Sequence, residues 1–302
     1  MQILVTGGTG FIGRALLPAL AAAGHDVLVL SRGQHQDGEG VRYLRGLDDL
    51  PADTAVDAVI NLAGASLAGK RWNASYKREI VASRIDTTRS VVDLIARLDT
   101  PPRVLLNGSA IGYYGARDDA VLDVNEPPGS GFSADLCQQW EQEASAAASE
   151  GVRVCLLRLG VVLDEGGGAL AEIARPFRMG IANWIGHGRQ YLSWVHRADV
   201  VAAMLFLLEN EQLSGVFNVT APTPVTSREL CVALKRQLRT LVALPMPAAM
   251  MRLMVGEMAD ELLITGQRVV PTALSQAGFE FCYGDIDSAL AASLEAFWLC
   301  RG

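Results

Sequence analysis

The chain has 302 residues, of which 50% are hydrophobic, 20% are charged and 6% are aromatic, as in ordinary globular proteins. This composition excludes a disordered, collagen-like or coiled-coil chain. The 26 basic and 33 acidic side chains give a net charge of −7, without a basic block. Neither nucleic acid nor an anionic membrane is therefore expected as a partner.

The cysteines and the apolar stretches favour a cytoplasmic protein. Five scattered cysteines without a C-x-x-C pair indicate reduced thiols and predict no metal site. They are Cys137, Cys155, Cys231, Cys282 and Cys300. The first residues lack the pattern of a signal peptide. The longest apolar stretch, residues 200–208, is too short to cross a bilayer, so no transmembrane helix is predicted.

In the first half of the chain, short β-branched runs alternate with longer helical patterns, which indicates βαβ units and a parallel sheet. The predicted strands are residues 3–6, 27–30, 41–44, 58–61, 104–107 and 154–157. The predicted helices are residues 11–23, 74–98 and 133–149. Because the strands are nearly all apolar, helices should cover both sheet faces. The prediction is a doubly wound α/β fold of Rossmann type.

After residue 160 the pattern changes to short strands and helices punctuated by glycine and proline. We predict a Rossmann domain over residues 1–164 and a smaller, mainly helical C-terminal lobe over residues 165–302. Part of residues 196–222, notably a strand at 216–219, is expected to return to the main sheet. Five methionines at helical spacing predict core packing or an adaptable apolar pocket. They are Met246, Met250, Met251, Met254 and Met258.

A glycine-rich turn follows the first predicted strand. Gly7 permits a sharp turn, Gly10 lets backbone N–H groups approach a diphosphate, and Gly13 lets the next helix lie close to the sheet. An ordinary strand–helix turn is the alternative, but the position within a βαβ unit favours a dinucleotide. The predicted cofactor-binding residues in this turn are Gly7, Thr9, Gly10, Phe11, Ile12 and Gly13.

The residues that follow two other predicted strands also indicate cofactor binding. The second strand ends in Ser31 and Arg32, where NAD-binding proteins usually carry Asp or Glu. A guanidinium can pair with a 2′-phosphate, so NADP(H) is favoured over NAD. The alternative is that Arg32 is a solvated charge in a loop. The fourth strand is followed by small residues that either approach the ribose and diphosphate or merely form a tight strand exit. They are Leu62, Ala63 and Gly64.

Motifs spread over nearly the whole chain carry a family resemblance. They are residues 6–13, 61–64, 109–115 and 215–219. With them the chain resembles the extended, epimerase-like form of the short-chain dehydrogenase/reductase superfamily. A second set of motifs resembles the narrower branch called epimerase family proteins, including its C-terminal domain of unknown function. That set comprises residues 61–64, 70–72, 83–85, 112–115, 140–141, 188–191, 256–259, 266–268 and 271–279.

The resemblance implies a Rossmann domain that binds NADP(H), with a C-terminal lobe closing a substrate cleft over the nicotinamide. It also implies a Tyr-x-x-x-Lys pair on one helix face, in which the lysine charge stabilises the phenolate. This chain departs from the pattern. The two possible registers pair Phe132 with Leu136 or Ser133 with Cys137, and neither supplies the tyrosine or the lysine.

Ser109, Tyr113 and Tyr114 are the remaining candidates for acid–base chemistry. Family spacing places the expected hydroxyl on Ala110, one residue from Ser109. Both tyrosines follow the fifth strand, at the sheet edge where doubly wound folds bind ligands. Either phenol could donate a proton or hydrogen-bond a substrate, and aromatic packing against the cofactor is the alternative.

Arg189, Tyr191 and Trp194 are the candidate substrate residues. In extended relatives this segment often carries a substrate-clamping arginine, so the resemblance implies that Arg189 binds a phosphate or carboxylate. An exposed loop charge is the alternative for Arg189. We expect an NADP(H)-dependent, epimerase-like oxidoreductase that acts on a polar small molecule with a non-standard acid–base apparatus. The alternatives are a non-catalytic NADPH-binding regulator or redox sensor, and a structural relic of the fold.

Overall fold

The computed structural model describes residues 1–299, so Cys300 lies outside the described residues. The strands are β1 (Gln2–Thr6), β2 (Asp26–Leu30), β3 (Val41–Leu44), β4 (Ala58–Asn61), β5 (Val104–Ala110), β6 (Val121–Leu122), β7 (Arg153–Leu159), β8 (Val161–Leu163), β9 (Ile181–Ile185), β10 (Tyr191–Leu192), β11 (Trp194–His196), β12 (Gly215–Val219), β13 (Val225–Thr226), β14 (Val242–Met246) and β15 (Arg268–Val269). The helices are α1 (Gly13–Ala22), α2 (Ala74–Arg97), α3 (Phe132–Ser145), α4 (Gly168–Arg178), α5 (Arg197–Glu209), α6 (Ser227–Gln237), α7 (Ala248–Val255), α8 (Thr272–Gln276) and α9 (Ile286–Leu299).

A seven-stranded sheet in the order β12-β7-β5-β4-β1-β2-β3 is the centre of the fold. Neighbouring strands from β3 through β5 pair in parallel, with Leu4 of β1 opposite Leu28 of β2 and Val59 of β4. All six strands predicted in the first half of the chain lie in this sheet, and the predicted Rossmann-type fold is confirmed. The strand expected at residues 216–219 joins the same sheet as β12.

The chain divides into two compact units. Unit 1 comprises Met1–Ser109, Leu136–Arg158 and Val201–Phe217, and unit 2 comprises Ala110–Asp135, Leu159–Val200 and the chain from Asn218 onward. In unit 1, α2 packs Val91 and Ile95 against buried strand residues such as Leu4. The boundary expected after residue 164 stays a prediction.

Unit 2 has a core of its own, in which Phe177 of α4, Trp194 of β11 and Leu290 of α9 are buried together. Helix α7 adds no buried residue to it. Met250 and Met254 are 49% and 60% exposed, so the core packing predicted for them is wrong, although Met258 is buried. Among residues 1–299, no helix combines the length and the apolar character that a membrane crossing requires.

His196 is a buried titratable group in unit 2. Its Nδ1 accepts the Ala198 N–H at 3.2 Å, its ring packs on Tyr283 with centroids 3.9 Å apart, and its Nε2 lies 3.8 Å from an Asp164 oxygen. Burial lowers the pKa of His196 and outweighs the opposite effect of Asp164 and Asp199. The folded protein therefore resists protonation of this ring.

We expect this histidine to make stability depend on pH. An unfolded chain with an unperturbed histidine pKa of about 6.5 takes up the proton first, so the free energy of unfolding should fall as pH drops below that value. The measurement is urea unfolding at about pH 7.5 and about pH 5.5. His196→Gln should flatten the difference, whereas His187→Gln, at an exposed position, should not. The expectation would be contradicted if the free energy of unfolding changed equally between the two pH values in all three proteins.

Candidate functional site

The turn after β1 is packed so closely, against the exit of β4 and against the beginning of α1, that two positions require glycine. Gly7 has φ of 69°, and a Cβ atom there would lie 2.5 Å from the Leu62 carbonyl oxygen. A Cβ atom at Gly13 would lie 2.4 Å from the carbonyl oxygens of Gly7 and Gly8. Because the obstructing atoms are backbone atoms, no side-chain movement relieves the clash. The turn is therefore packed against the beginning of α1.

This contact lies where the strand order of the sheet reverses. From β1 the chain proceeds to β2 and β3 on one side, whereas β4, β5 and β7 follow on the other. Open α/β sheets bind ligands in the crevice at such a point, and the amino end of a helix there favours an anion. Thr9 and Gly10 are exposed in this turn, whereas Phe11 and Ile12 are half-buried. The residues predicted to bind the cofactor around β1 and β4 thus occupy one crevice of unit 1.

A buried network of polar side chains fixes the strand ends below this crevice. The Asn61 side chain pairs with Thr6 and donates to Thr88 at 2.8 Å and to Asn107 at 2.6 Å. The Trp140 indole N–H also donates to Thr88, at 2.9 Å. Sequence reasoning missed this network, although asparagines ending two apolar strands were a signal. The network joins the carboxyl ends of β1 and β4 and the middle of β5 to α2 and α3.

The predicted 2′-phosphate residues lie at the end of β2. Ser31 is buried and accepts the Gly33 N–H at 3.3 Å, whereas Arg32 is exposed. A cavity of about 320 Å³ adjoins this segment. Its lining residues, which sequence reasoning missed, are Gly33, Gln34, His35, Tyr43, Leu44 and Arg45. The rings of His35 and Tyr43 stack with centroids 4.7 Å apart. Basic groups therefore follow both β2 and β3, and the aromatic ring of Tyr43 lies within β3.

Ser109 belongs to a buried ion-pair cluster of unit 1. Its hydroxyl donates to Glu141 Oε1 at 2.7 Å, and both Glu141 oxygens accept hydrogen bonds of 2.8 Å from the Arg158 guanidinium. All three side chains are buried. The Ser109 proton is thus engaged by a carboxylate that is itself neutralised. In this arrangement Ser109 has a structural role, and its hydroxyl is not exposed for catalysis.

Tyr114 is tied to the C-terminal part of the chain within unit 2. Its hydroxyl donates to Asn218 Oδ1 at 2.6 Å, and the Asn218 amide donates to the Val270 carbonyl oxygen at 3.2 Å. The Tyr114 ring is buried and meets the Tyr113 ring edge-on, with centroids 5.4 Å apart. Tyr113 is half-buried. Of the two tyrosines, Tyr113 is therefore the more accessible.

A carboxylate caps the amino end of α3, the helix on which the family resemblance predicted a tyrosine and a lysine. The Phe132 and Ser133 N–H groups donate to the two Glu261 carboxylate oxygens at 3.2 and 3.1 Å. Gly131, with φ of 108°, leaves the space that the carboxylate fills. Glu261 precedes the turn to β15, and sequence reasoning missed it because it lies 128 residues from Ser133.

The three predicted substrate residues lie in different environments. Arg189 is exposed, and Tyr191 is half-buried with the Arg268 guanidinium 5.0 Å from its ring centroid. Trp194 is fully buried in the core of unit 2, where its indole N–H donates to the Thr223 carbonyl oxygen at 3.0 Å. The structure therefore gives Trp194 a packing role instead of the predicted substrate contact.

The sheet and the glycine turn at its reversal point define a nucleotide-binding protein of Rossmann type. Residues 3–220 match the NAD dependent epimerase/dehydratase family, and residues 246–293 match a domain of unknown function (DUF1731). The chain therefore belongs to the NAD dependent epimerase/dehydratase family, and the resemblance inferred from its motifs is confirmed.

Relatives from distant organisms match nearly the whole chain. Epimerase family protein Mb2239 of Mycobacterium bovis is 40% identical over 95% of this chain and 96% of its own length. A chloroplastic SDR39U1 homolog of Arabidopsis thaliana is 37% identical over 98% of this chain and 87% of its own. The crystal structure of human epimerase family protein SDR39U1 with NADPH superposes with a TM-score of 0.86, at 31% identity, over 98% of this chain and 99% of the human one.

The buried cluster of Glu141 predicts a clear order of stability losses. Glu141→Ala leaves Arg158 without its carboxylate in a buried site and should lower the free energy of unfolding by about 3–5 kcal/mol. Ser109→Ala removes one hydrogen bond to a charged group and should cost about 1–3 kcal/mol. Glu143→Ala, which breaks a surface pair with Arg89, serves as control and should cost at most about 1 kcal/mol. Urea unfolding measures all three, and equal losses for the two glutamate variants would refute the order.

Proposed function

We propose that this protein binds NADP(H) in the crevice between the ends of β1 and β4 and transfers hydride to or from a polar small molecule. The observation that carries the proposal is the close packing of the glycine turn. The exit of β4 leaves no room for a Cβ atom at Gly7, and the turn itself leaves none at Gly13. Such a turn at the amino end of a helix suits a diphosphate. The human relative whose structure contains NADPH shares this architecture over nearly its whole length.

The residues of the crevice fit a phosphorylated dinucleotide. Backbone N–H groups of residues 7–13 would hold the diphosphate, and residues 62–64 would lie beside the ribose. Arg32 and the Ser31 hydroxyl would recognise the 2′-phosphate, because a guanidinium pairs with a phosphate and a carboxylate would repel it. When bound, NADPH supplies the hydride.

The acid–base apparatus is the non-standard part of this proposal. The sequence of α3 contains neither tyrosine nor lysine, and the Ser109 and Tyr114 hydroxyls donate to Glu141 and Asn218. Because Tyr113 is half-buried and more accessible than Tyr114, we assign the proton-donating role to Tyr113, and substrate binding to Arg189 and Tyr191. An exposed guanidinium such as that of Arg189 suits a substrate with a phosphate or carboxylate group.

A non-catalytic NADPH-binding regulator or redox sensor is the second candidate. The observation that favours it is the engagement of two of the three candidate hydroxyls in buried hydrogen bonds. A sensor needs the cofactor crevice but no proton donor, and its partner affinity would depend on the oxidation state of the nicotinamide.

Calorimetric titration tests the cofactor assignment. The unmodified protein should bind NADPH more tightly than NADH, because only NADPH carries the 2′-phosphate. Arg32→Ala should weaken NADPH binding about 10- to 100-fold, the equivalent of one charge-assisted hydrogen-bonded contact, and leave NADH unchanged. Arg42→Ala, at an exposed position on β3, is the matched control and should change neither affinity. Absence of binding to either coenzyme would overturn the proposed function.

Turnover distinguishes the enzyme from the sensor. We expect oxidation of NADPH by at least one of a panel of carbonyl compounds, or reduction of NADP⁺ by at least one nucleotide sugar with an oxidisable hydroxyl group, both measured by absorbance. Tyr113→Phe should then lower kcat by about 10²- to 10⁴-fold, the usual contribution of a general acid. Tyr114→Phe, which removes the hydrogen bond to Asn218, should chiefly lower stability. Tight NADPH binding without turnover of any panel member would favour the sensor.

A further inference from the structure

Arg84 of α2 holds its guanidinium against the loop that follows β4. Its Nη2 donates to the Ala65 carbonyl oxygen at 3.1 Å, and its Nη1 donates to the Ile80 carbonyl oxygen at 3.2 Å. A Cβ atom at Gly64 would lie 2.9 Å from the Arg84 Cζ atom. The guanidinium also lies 5.3 Å from the centroid of the Trp140 ring. A cation is thus fixed from three sides beside the exit of β4.

This cation has no carboxylate partner among the residues that the structure describes. Burial lowers the pKa of Arg84, and the opposing contributions come from the Cys137 thiol and the Tyr76 phenol, which are ordinarily neutral groups. Elsewhere in unit 1, the buried Arg158 faces the Glu141 carboxylate directly. Desolvating an arginine without a counterion is unfavourable, and an arriving anion would relieve that penalty.

Holding the loop does not require a positive charge. The neighbouring Ser83 already ties the same loop to α2, since its hydroxyl accepts the Ala65 N–H at 2.9 Å and donates to the Ile80 carbonyl oxygen at 2.9 Å. The two carbonyl contacts of Arg84 use two of the five N–H donors of a guanidinium. Because the side chain is only half-buried, its charge and remaining donors are available to a ligand.

The position of Arg84 connects this charge with the crevice at the strand-order reversal. Gly64 and Ala65 continue from Leu62, whose carbonyl oxygen touches the glycine turn after β1. Arg84 also lies within electrostatic reach of Cys137, which occupies the lysine position in one of the two registers considered for α3. From α2, a guanidinium therefore brings a fixed positive charge to a region where α3 has no basic residue.

We propose that Arg84 is an anion-binding residue of this crevice and pairs with an oxyanion of the bound ligand. The proposal rests on the proposed function for the location of the ligand. The oxyanion belongs either to the diphosphate of the dinucleotide or to a phosphate or carboxylate group of the second substrate. Both are recognised by the same bidentate guanidinium chemistry.

Binding measurements on matched variants test this assignment. Arg84→Met removes the charge and keeps much of the side-chain volume, Arg84→Lys keeps the charge, and Ser83→Ala loosens the same loop without changing any charge. NADPH is titrated by calorimetry at low and high KCl concentration. Phosphate and oxalate are then titrated into the NADPH-bound protein, with NADPH fluorescence as the readout.

Arg84→Met should lower the binding affinity about 10- to 100-fold either for NADPH or for phosphate and oxalate, as expected for one charge-assisted contact. Loss in the NADPH titration assigns the diphosphate, and loss in the phosphate or oxalate titration assigns the second substrate. The salt dependence of the affected affinity should also weaken, because an ionic contact is screened. Arg84→Lys should retain most of the affinity, and Ser83→Ala should keep the salt dependence of the unmodified protein.

Two results would overturn the assignment. In the first, Arg84→Met leaves the affinities for NADPH, phosphate and oxalate unchanged. In the second, Ser83→Ala reproduces the loss and the changed salt dependence, which would make Arg84 a loop-holding residue. Failure of the unmodified protein to bind NADPH would instead refute the proposed function, and Arg84 would then be judged by phosphate and oxalate binding to the unliganded protein, measured by calorimetry.

Discussion

The approach of two backbone segments, the turn after β1 and the exit of β4, governs the rest of the candidate site. The Leu62 carbonyl oxygen occupies the position where any side chain at Gly7 would begin. The absence of a side chain at Gly13 lets the amino end of α1 lie against this turn, and the helix dipole there attracts an anion. A buried amide and hydroxyl network below it, centred on Asn61, fixes both strand ends. The geometry of these strand ends is therefore fixed by contacts within the protein.

The two arginines of unit 1 that bear on the site differ in what neutralises them. Arg158 and Glu141 form a closed pair that also engages the Ser109 hydroxyl, so this cluster has a structural role. Arg84 binds carbonyl oxygens and an aromatic face, which orient a guanidinium without neutralising it. The difference separates a charge that holds the fold from one suited to a ligand.

The parts that the sequence predicted well are those determined by neighbouring residues. Strand, glycine turn and helix follow one another at the amino end, and the reasons for Gly7 and Gly13 are local sterics. Ser109 and Tyr114 could not be interpreted in this way, because their partners lie 32 and 104 residues away. The methionine pattern around α7 failed for a related reason. Helical periodicity identifies a common face, but it does not tell whether another element covers that face, and Met254 is exposed.

The attachment of β15 explains why a tyrosine at the carboxyl edge of the sheet has a structural role. Ser193 donates to the Gln267 carbonyl oxygen and accepts the Val269 N–H, each at 2.8 Å, and Asn218 binds the Val270 carbonyl oxygen. These contacts join the segment matched by the epimerase model to the DUF1731 segment. Since they involve the backbone of β15, they depend on its path more than on its side chains. The Tyr114 hydroxyl holds Asn218 in this arrangement. Loss of that hydroxyl would release the tether, so the position of Tyr114 is constrained by the attachment of β15.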